Sequence, residues 1–202
     1  MDLKKLRKKM RKVQDEPRYE HTLSVAYTAA NLAAVHGGSV DKALRAGMLH
    51  DCAKCLPDNE KLELSKKYHL KVSDVERRNP SLLHAELGAY LAKDLYEETD
   101  KDVLNAISSH TTGRPDMSLL EKIIFVADYI EPGRTKAANL RQIRKLAYED
   151  IDRAVIRILQ DTLEYLTKTK SDIHPGTQRT LEHYLKQERR NDGSERNCKT
   201  GH

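Results

Sequence analysis

This sequence predicts an all-α fold on the strength of three observations. The composition is rich in Ala, Leu, Lys, Glu and Arg, with no Trp, one Phe and nine Gly in 202 residues, which is the usage of a helical protein. Apolar residues recur every three or four positions, not every two. Gly and Pro signals cut the chain into segments of helical length, and none alternates long enough for a strand. At this length one large domain can bury its own core without disulfides or structural metal.

The elements follow in order. Leu3, Leu6, Met10 and Val13 recur at helical spacing, predicting a helix or arm over 1–16 laid on the body with its cationic face in water. Asp15, Glu16 and Pro17 signal a helix start and Gly37–Gly38 a stop, so a helix is expected over 18–36, with a stripe of Leu23, Ala26, Tyr27, Ala30, Ala33 and Ala34. Ser39 and Asp41 are good caps for a second helix over 39–53, on which Ala43, Ala46, Gly47 and His50 share a face. A short helix over 58–68 follows Pro57, and a polar stretch closes at Pro80. Helices are expected over 82–95, 100–110, 117–130, 137–147 and 150–168, with breaks at Gly113–Pro115 and Pro132–Gly133. His174-Pro175-Gly176 precedes a last amphipathic segment over 177–188. Residues 189–202 have no apolar face and are expected to form a disordered tail.

Several function classes fall away on composition. No apolar run approaches the ~20 residues of a membrane span, and the segment MDLKKLRKKMRKVQ lacks the apolar stretch of a signal peptide. Three cysteines, Cys52, Cys55 and Cys198, fit a reducing cytoplasm better than a disulfide scaffold. The net charge of +5 is concentrated at one end. Residues 1–12 hold seven basic side chains and one acid; removing them from the totals of 36 and 31 leaves 29 basic and 30 acidic residues. A solvated helix face is the simpler reading of that basic segment, and an anionic partner the alternative.

Chemistry concentrates on inward-facing histidines and aspartates. His21 lines up with Val25 and Thr28; His50 shares the Ala43/Ala46/Gly47 face and is followed by Asp51. His84 shares a face with Leu87, Gly88 and Leu91, and His110 ends the face of Val103, Ala106 and Ile107. Asp128 lies inside the apolar run IIFVADYI, in line with Met117, Leu120 and Ile124. A lone histidine at such a position is usually a hydrogen-bonded core residue, and a buried ionised carboxylate is costly without a compensating cation. Jointly, these imidazoles and carboxylates suit a divalent first-row ion. The Cys52–Cys55 pair has no second CxxC to complete a zinc site; Cys52 reads as a small buried residue.

The blocks RYEHTLSVA (18–26), MLHDCAK (48–54), LLHAELGA (82–89), ISSHTTG (107–113) and FVADYIEPGR (125–134), in this order, resemble the HD-domain metal phosphohydrolase superfamily. They are closest to its YqeK-type branch, the bacterial symmetrical diadenosine tetraphosphate hydrolases. The resemblance spans about 17–170, within an HD domain expected over 17–188. It implies an all-helical cytoplasmic enzyme with an iron-type divalent centre, Mn or Co being alternatives, that hydrolyses dinucleoside polyphosphates and releases ADP from the tetraphosphate. At the matching positions it implies His21, His50, Asp51 and Asp128 as metal ligands.

Around them, Lys54 is expected to hold a phosphate as a point charge. His84 and His110 can bind phosphate, shuttle a proton or ligate a second metal. Thr111, Thr112 and Gly113 suit phosphate contact at a helix end, and Arg134 offers it a bidentate fork. Thr135, Lys136 and Arg141 are weaker candidates for substrate contact, and Arg18 is either a substrate contact or a structural ion pair. The expected partner is thus a nucleotide polyphosphate, with neither membrane nor nucleic acid; a homodimer stays open. The alternatives are an HD phosphohydrolase acting on another nucleotide, a mononucleotide or guanosine alarmone, and a nucleic-acid-binding helical protein with a structural metal.

Overall fold

The computed structural model describes residues 2–199 in backbone and the side-chain surroundings of 2–190. Among them every regular element is helical. The chain begins with α1 (Leu3–Val13), α2 (Glu16–Val35), α3 (Val40–Leu49), α4 (Asp58–Lys67) and α5 (Asp74–Arg78). A 3₁₀ turn at Pro80–Leu83 leads into α6 (His84–Tyr96), then α7 (Lys101–Ser109), α8 (Leu119–Ile130), α9 (Leu140–Glu149), α10 (Ile151–Lys168) and α11 (Pro175–Lys199). No helix among the described residues is long and apolar enough to cross a membrane.

The core is built by α2, α3, α7 and α8. α6 packs outside α7, α10 packs behind α8 with α9 and α11 against it, and α1 closes over α3 and α2. The amphipathic reading of α1 holds where it matters: Leu6 and Met10 are fully buried while its lysines face solvent. Val13 is the exception, half-exposed at the helix end.

Local chemistry sets most boundaries. Asp15 accepts from the Arg18 amide and Ser39 from the Lys42 amide, each capping the helix that follows. Four expectations are corrected. The buried face of α2 is Val25, Ala26, Ala29, Leu32 and Ala33, with Tyr27 and Ala34 in solvent; an alanine-rich helix has little apolar asymmetry, and Val25 and Leu32 decide which way it faces. α3 ends at Leu49, not 53, where the backbone tightens into turns with bonds from Cys52 N to the Leu49 carbonyl and Lys54 N to the Asp51 carbonyl. The polar stretch before Pro80 contains α5, started by a capping box between Ser73 and Glu76. α9 starts at Leu140 because Asn139 before it is left-handed, with φ 55°.

α11 continues to Lys199, past residue 188. The tail expected over 189–202 lies, beyond residue 190, outside the described side chains, and residues 200–202 lie outside the described backbone.

Candidate metal centre

Five helices deliver their ends to one place. His50 and His110 are the C-caps of α3 and α7, His84 is the first residue of α6, His21 sits near the start of α2, and Asp128 near the end of α8. Helix C-termini leave carbonyls without intrahelical partners, and His50 and His110 take up carbonyls of this kind, while His84 shares a carbonyl that already accepts from its own amide. His50 Nδ1 lies 2.6 Å from the Gly47 carbonyl, His110 Nδ1 2.7 Å from that of Ile107, and His84 Nδ1 2.5 Å from that of Ser81. A carbonyl only accepts, so in each neutral imidazole Nδ1 carries the proton and Nε2 presents a lone pair.

Those lone pairs converge. His84 Nε2 is 3.1 Å from His110 Nε2, and His50 Nε2 is 3.4 Å from His21 Nε2. Asp51 stands between the two pairs: its Oδ1 lies 3.2 Å from His84 and 3.7 Å from His110, its Oδ2 3.5 Å from His50 and 3.8 Å from His21. Asp128 Oδ1 approaches His21 Nε2 at 3.2 Å. Burial opposes the charge on Asp51, yet the imidazoles of His50, His110 and His84, when they carry a proton on Nε2, hold its carboxyl well below the usual carboxylate range. For Asp128, burial is likewise overcome by the hydrogen bond to His21 and by nearby His50 and His110, and its carboxyl is also lowered. Burial pushes His84 down to about 4, leaving it neutral at pH 7. With the imidazoles neutral, the groups turned into this space are acceptors, apart from Arg18, which reaches Asp51 Oδ2 at 2.7 Å, and Arg134, which reaches Asp128 Oδ1 at 3.3 Å. Acceptors at such distances repel unless a cation stands among them, so the donor set fits a divalent ion. Among the described residues two three-residue sets have the required convergence, His21/His50/Asp51 and Asp51/His84/His110, with Asp51 common to both.

The other expected residues divide by position. Lys54 is half-buried at the rim, its Nζ 3.5 Å from Ser81 Oγ, and burial lowers its pKa. Thr111 Oγ1 lies 3.4 Å from His84 Nε2, whereas the Thr112 hydroxyl turns to the Gly113 carbonyl. Arg134 reaches Asp128 Oδ1 at 3.3 Å, and Arg18, His21, Glu131 and Arg134 line one open pocket. Thr135, Lys136 and Arg141 are exposed and make no contact with the cluster. Cys52 is buried with its thiol donating to the Gly88 carbonyl, and burial pushes its pKa up to about 12, in keeping with a small buried residue.

Two residues escaped the sequence reading. Glu131 is a buried carboxylate whose Oε1 lies 3.3 Å from His21 Nδ1. Arg144, one turn beyond Arg141, donates to the carbonyls of Ile130, Glu131 and Arg134. The IEPGR sequence marks a turn, but the partners that give both residues meaning come from other helices.

The geometry agrees with what the chain is similar to. A family model described as HD domain matches residues 18–133. A protein from Halalkalibacterium halodurans named bis(5'-nucleosyl)-tetraphosphatase, symmetrical, is 42% identical over 84% of this chain and 90% of its own length. One of the same name from Bacillus subtilis is 40% identical over 80% and 86%. A crystal structure from Clostridium acetobutylicum, described as a predicted HD superfamily hydrolase involved in NAD metabolism, is 38% identical and superposes with a TM-score of 0.89 over 93% of this chain and 98% of that one. With the matched region holding His21, His50-Asp51 and Asp128 in one converging cluster, the chain belongs to the HD domain family.

Proposed function

We propose that this protein is a metal-dependent phosphoanhydride hydrolase of dinucleoside polyphosphates that cuts diadenosine tetraphosphate symmetrically. The observation that carries the reading is an acceptor-only cluster rimmed by Arg18, Lys54 and Arg134, in a chain whose relatives over most of its length are named symmetrical tetraphosphatases. His21, His50, Asp51 and Asp128 hold the ion, iron by the resemblance of the ligand set, with Mn or Co as substitutes, in a cytoplasmic setting. When bound, such an ion acidifies water and withdraws charge from a phosphoryl oxygen.

The chain's own residues do the rest. Lys54 and Arg134 neutralise and orient the phosphates, which is most of what phosphoryl transfer asks of a protein. His84 and His110, with Nδ1 tied to carbonyls, accept a proton or a ligand bond at Nε2. Arg18 exchanges its Asp51 contact for a phosphate, and Thr111 adds a hydroxyl donor. With an ADP-like half gripped, water adds to the second phosphorus of that half and the other ADP leaves, so diadenosine tetraphosphate and water give two ADP.

Product chromatography after a single turnover tests this. Two ADP are expected; AMP plus ATP would reject symmetric cleavage, and no cleavage by folded, metal-loaded protein would reject the substrate class. A second reading has a specific observation behind it. Asp51 offers its other oxygen to His84 and His110, a set suited to a second ion, and two equivalents of metal per chain by elemental analysis would select it.

A further inference from the structure

Glu131 is the C-cap of α8, one turn beyond Asp128, with its side chain 5% exposed. Every contact of its carboxylate is specific. Oε1 faces His21 Nδ1 at 3.3 Å. Oε2 accepts from the Ser24 hydroxyl at 2.7 Å and from the Gly133 amide at 2.6 Å. Gly133 opens the turn that carries Arg134, whose Nε donates to the Asp128 carbonyl at 3.1 Å and whose Nη2 reaches the Asp128 carboxylate at 3.3 Å. Arg144 braces the same turn from α9 through three carbonyls, at 2.8–2.9 Å. The fit at Gly133 is close: a Cβ there would stand 2.9 Å from Glu131 Oε2.

We propose that Glu131 is a positioning residue with two outputs: it fixes the Nδ1–H tautomer and the angle of His21, and it sets the turn that aims Arg134 at the phosphates. The inference rests on the proposed function, its first output on His21 as a metal ligand and its second on a phosphate-bearing substrate. A carboxylate behind a ligating histidine orients the ring and strengthens it as a donor, and removing such a partner costs about 10–100-fold in metal affinity. Here the carboxylate needs both oxygens, one for each task. An amide in its place offers one acceptor oxygen and an NH₂. If the NH₂ faces His21 it donates to Nδ1 and drives the proton to Nε2, the ligating atom. If it faces Gly133 it opposes another N–H donor. One tie is lost either way.

The experiment compares the full-length protein with Glu131→Gln, Gly133→Ala and Ser24→Ala. Affinity for Mn is read by competition with a chromophoric chelator, and KM for diadenosine tetraphosphate is read at saturating metal. Glu131→Gln is expected to weaken Mn binding about 10–100-fold and to raise KM even when metal is saturating. Gly133→Ala keeps every charge but pushes on Oε2, so both readouts are expected to move in the same direction by less. Ser24→Ala removes one anchor and is expected to weaken Mn binding about three- to tenfold. Should the Gln variant fail to fold, the other two carry the decision. Wild-type Mn affinity and KM in folded variants, with only Tm lowered, would overturn the proposal and leave Glu131 a structural pin. The chelator readout needs no substrate, so a failure of the substrate assignment and a failure of the Glu131–His21 tie are told apart.

Discussion

Asp51 holds a tightly constrained charge. Its side chain is 4% exposed, and its two oxygens face four imidazoles and the Arg18 guanidinium. An ionised group so placed is stable only while cations surround it. Asp128 differs in degree, being one-quarter exposed and shared between His21 and Arg134. Replacing either by Asn keeps the shape and deletes the charge. In Asp51→Asn and Asp128→Asn, metal content and activity are expected to fall together, by more than the about 10–100-fold typical of supporting residues. Full occupancy and full activity in Asp128→Asn, measured by elemental analysis and turnover, would reduce Asp128 to a structural acid. Among the proposed ligands, His21, His50 and Asp128 showed in the sequence as polar residues in line with apolar helical positions, whereas Asp51, in the turn after α3, and the choice of these four rested on the family resemblance. Glu131 did not show, since its partners His21 and Ser24 lie 110 and 107 residues away. Arg144 was hidden for a different reason: its acceptors are backbone carbonyls, which no residue type announces.

Between elements, the contact that places two of the helices carrying proposed ligands is that of α2 and α3. Gly47 lies so close to α2 that a Cβ would stand 2.6 Å from the Ala26 Cα and 3.0 Å from its nitrogen. The obstacle is backbone, which cannot rotate aside. The Gly47 carbonyl is also the partner of His50 Nδ1, so separating the helices moves His50, a proposed ligand. Gly47→Ala is expected to cost about 1–3 kcal/mol by overpacking, a Tm lower by about 2–12 °C, together with weaker metal binding; an unchanged melting curve by calorimetry would refute the close approach. Helix starts were readable because N-cap chemistry is local: Ser39 and Asp15 act within three residues. The facing of α2 was not, because its alanines look alike from every side and only packing against α3 and α8 chooses among them. α5 is five residues long, too short for an apolar period to emerge, although its capping box was present in the sequence.

Across the whole molecule, charge and catalysis are kept apart. The basic excess of the chain sits on α1, which uses Leu6 and Met10 to seal α2 and α3. Lys9 donates to the Leu95 carbonyl at 2.9 Å and lies 5.6 Å from the Tyr96 ring centroid, and Arg11 meets Glu16 at 3.4 Å. These contacts tie the helix to the body at the C-terminal end of α6 through Lys9 and at the start of α2 through Arg11. Only Gln14, after the helix, approaches the centre, with its amide donating to the Asp51 carbonyl at 3.3 Å. Removing residues 1–12 therefore strips two buried apolar side chains, about 3–6 kcal/mol of burial, and touches no ligand. The truncated protein is expected to melt on the order of 10 °C lower. Its kcat, measured well below that temperature, is expected to stay within about threefold, under ~0.7 kcal/mol of barrier. A hundredfold loss of kcat in a truncation that calorimetry shows to be folded would give α1 a part in the reaction that none of its contacts supports.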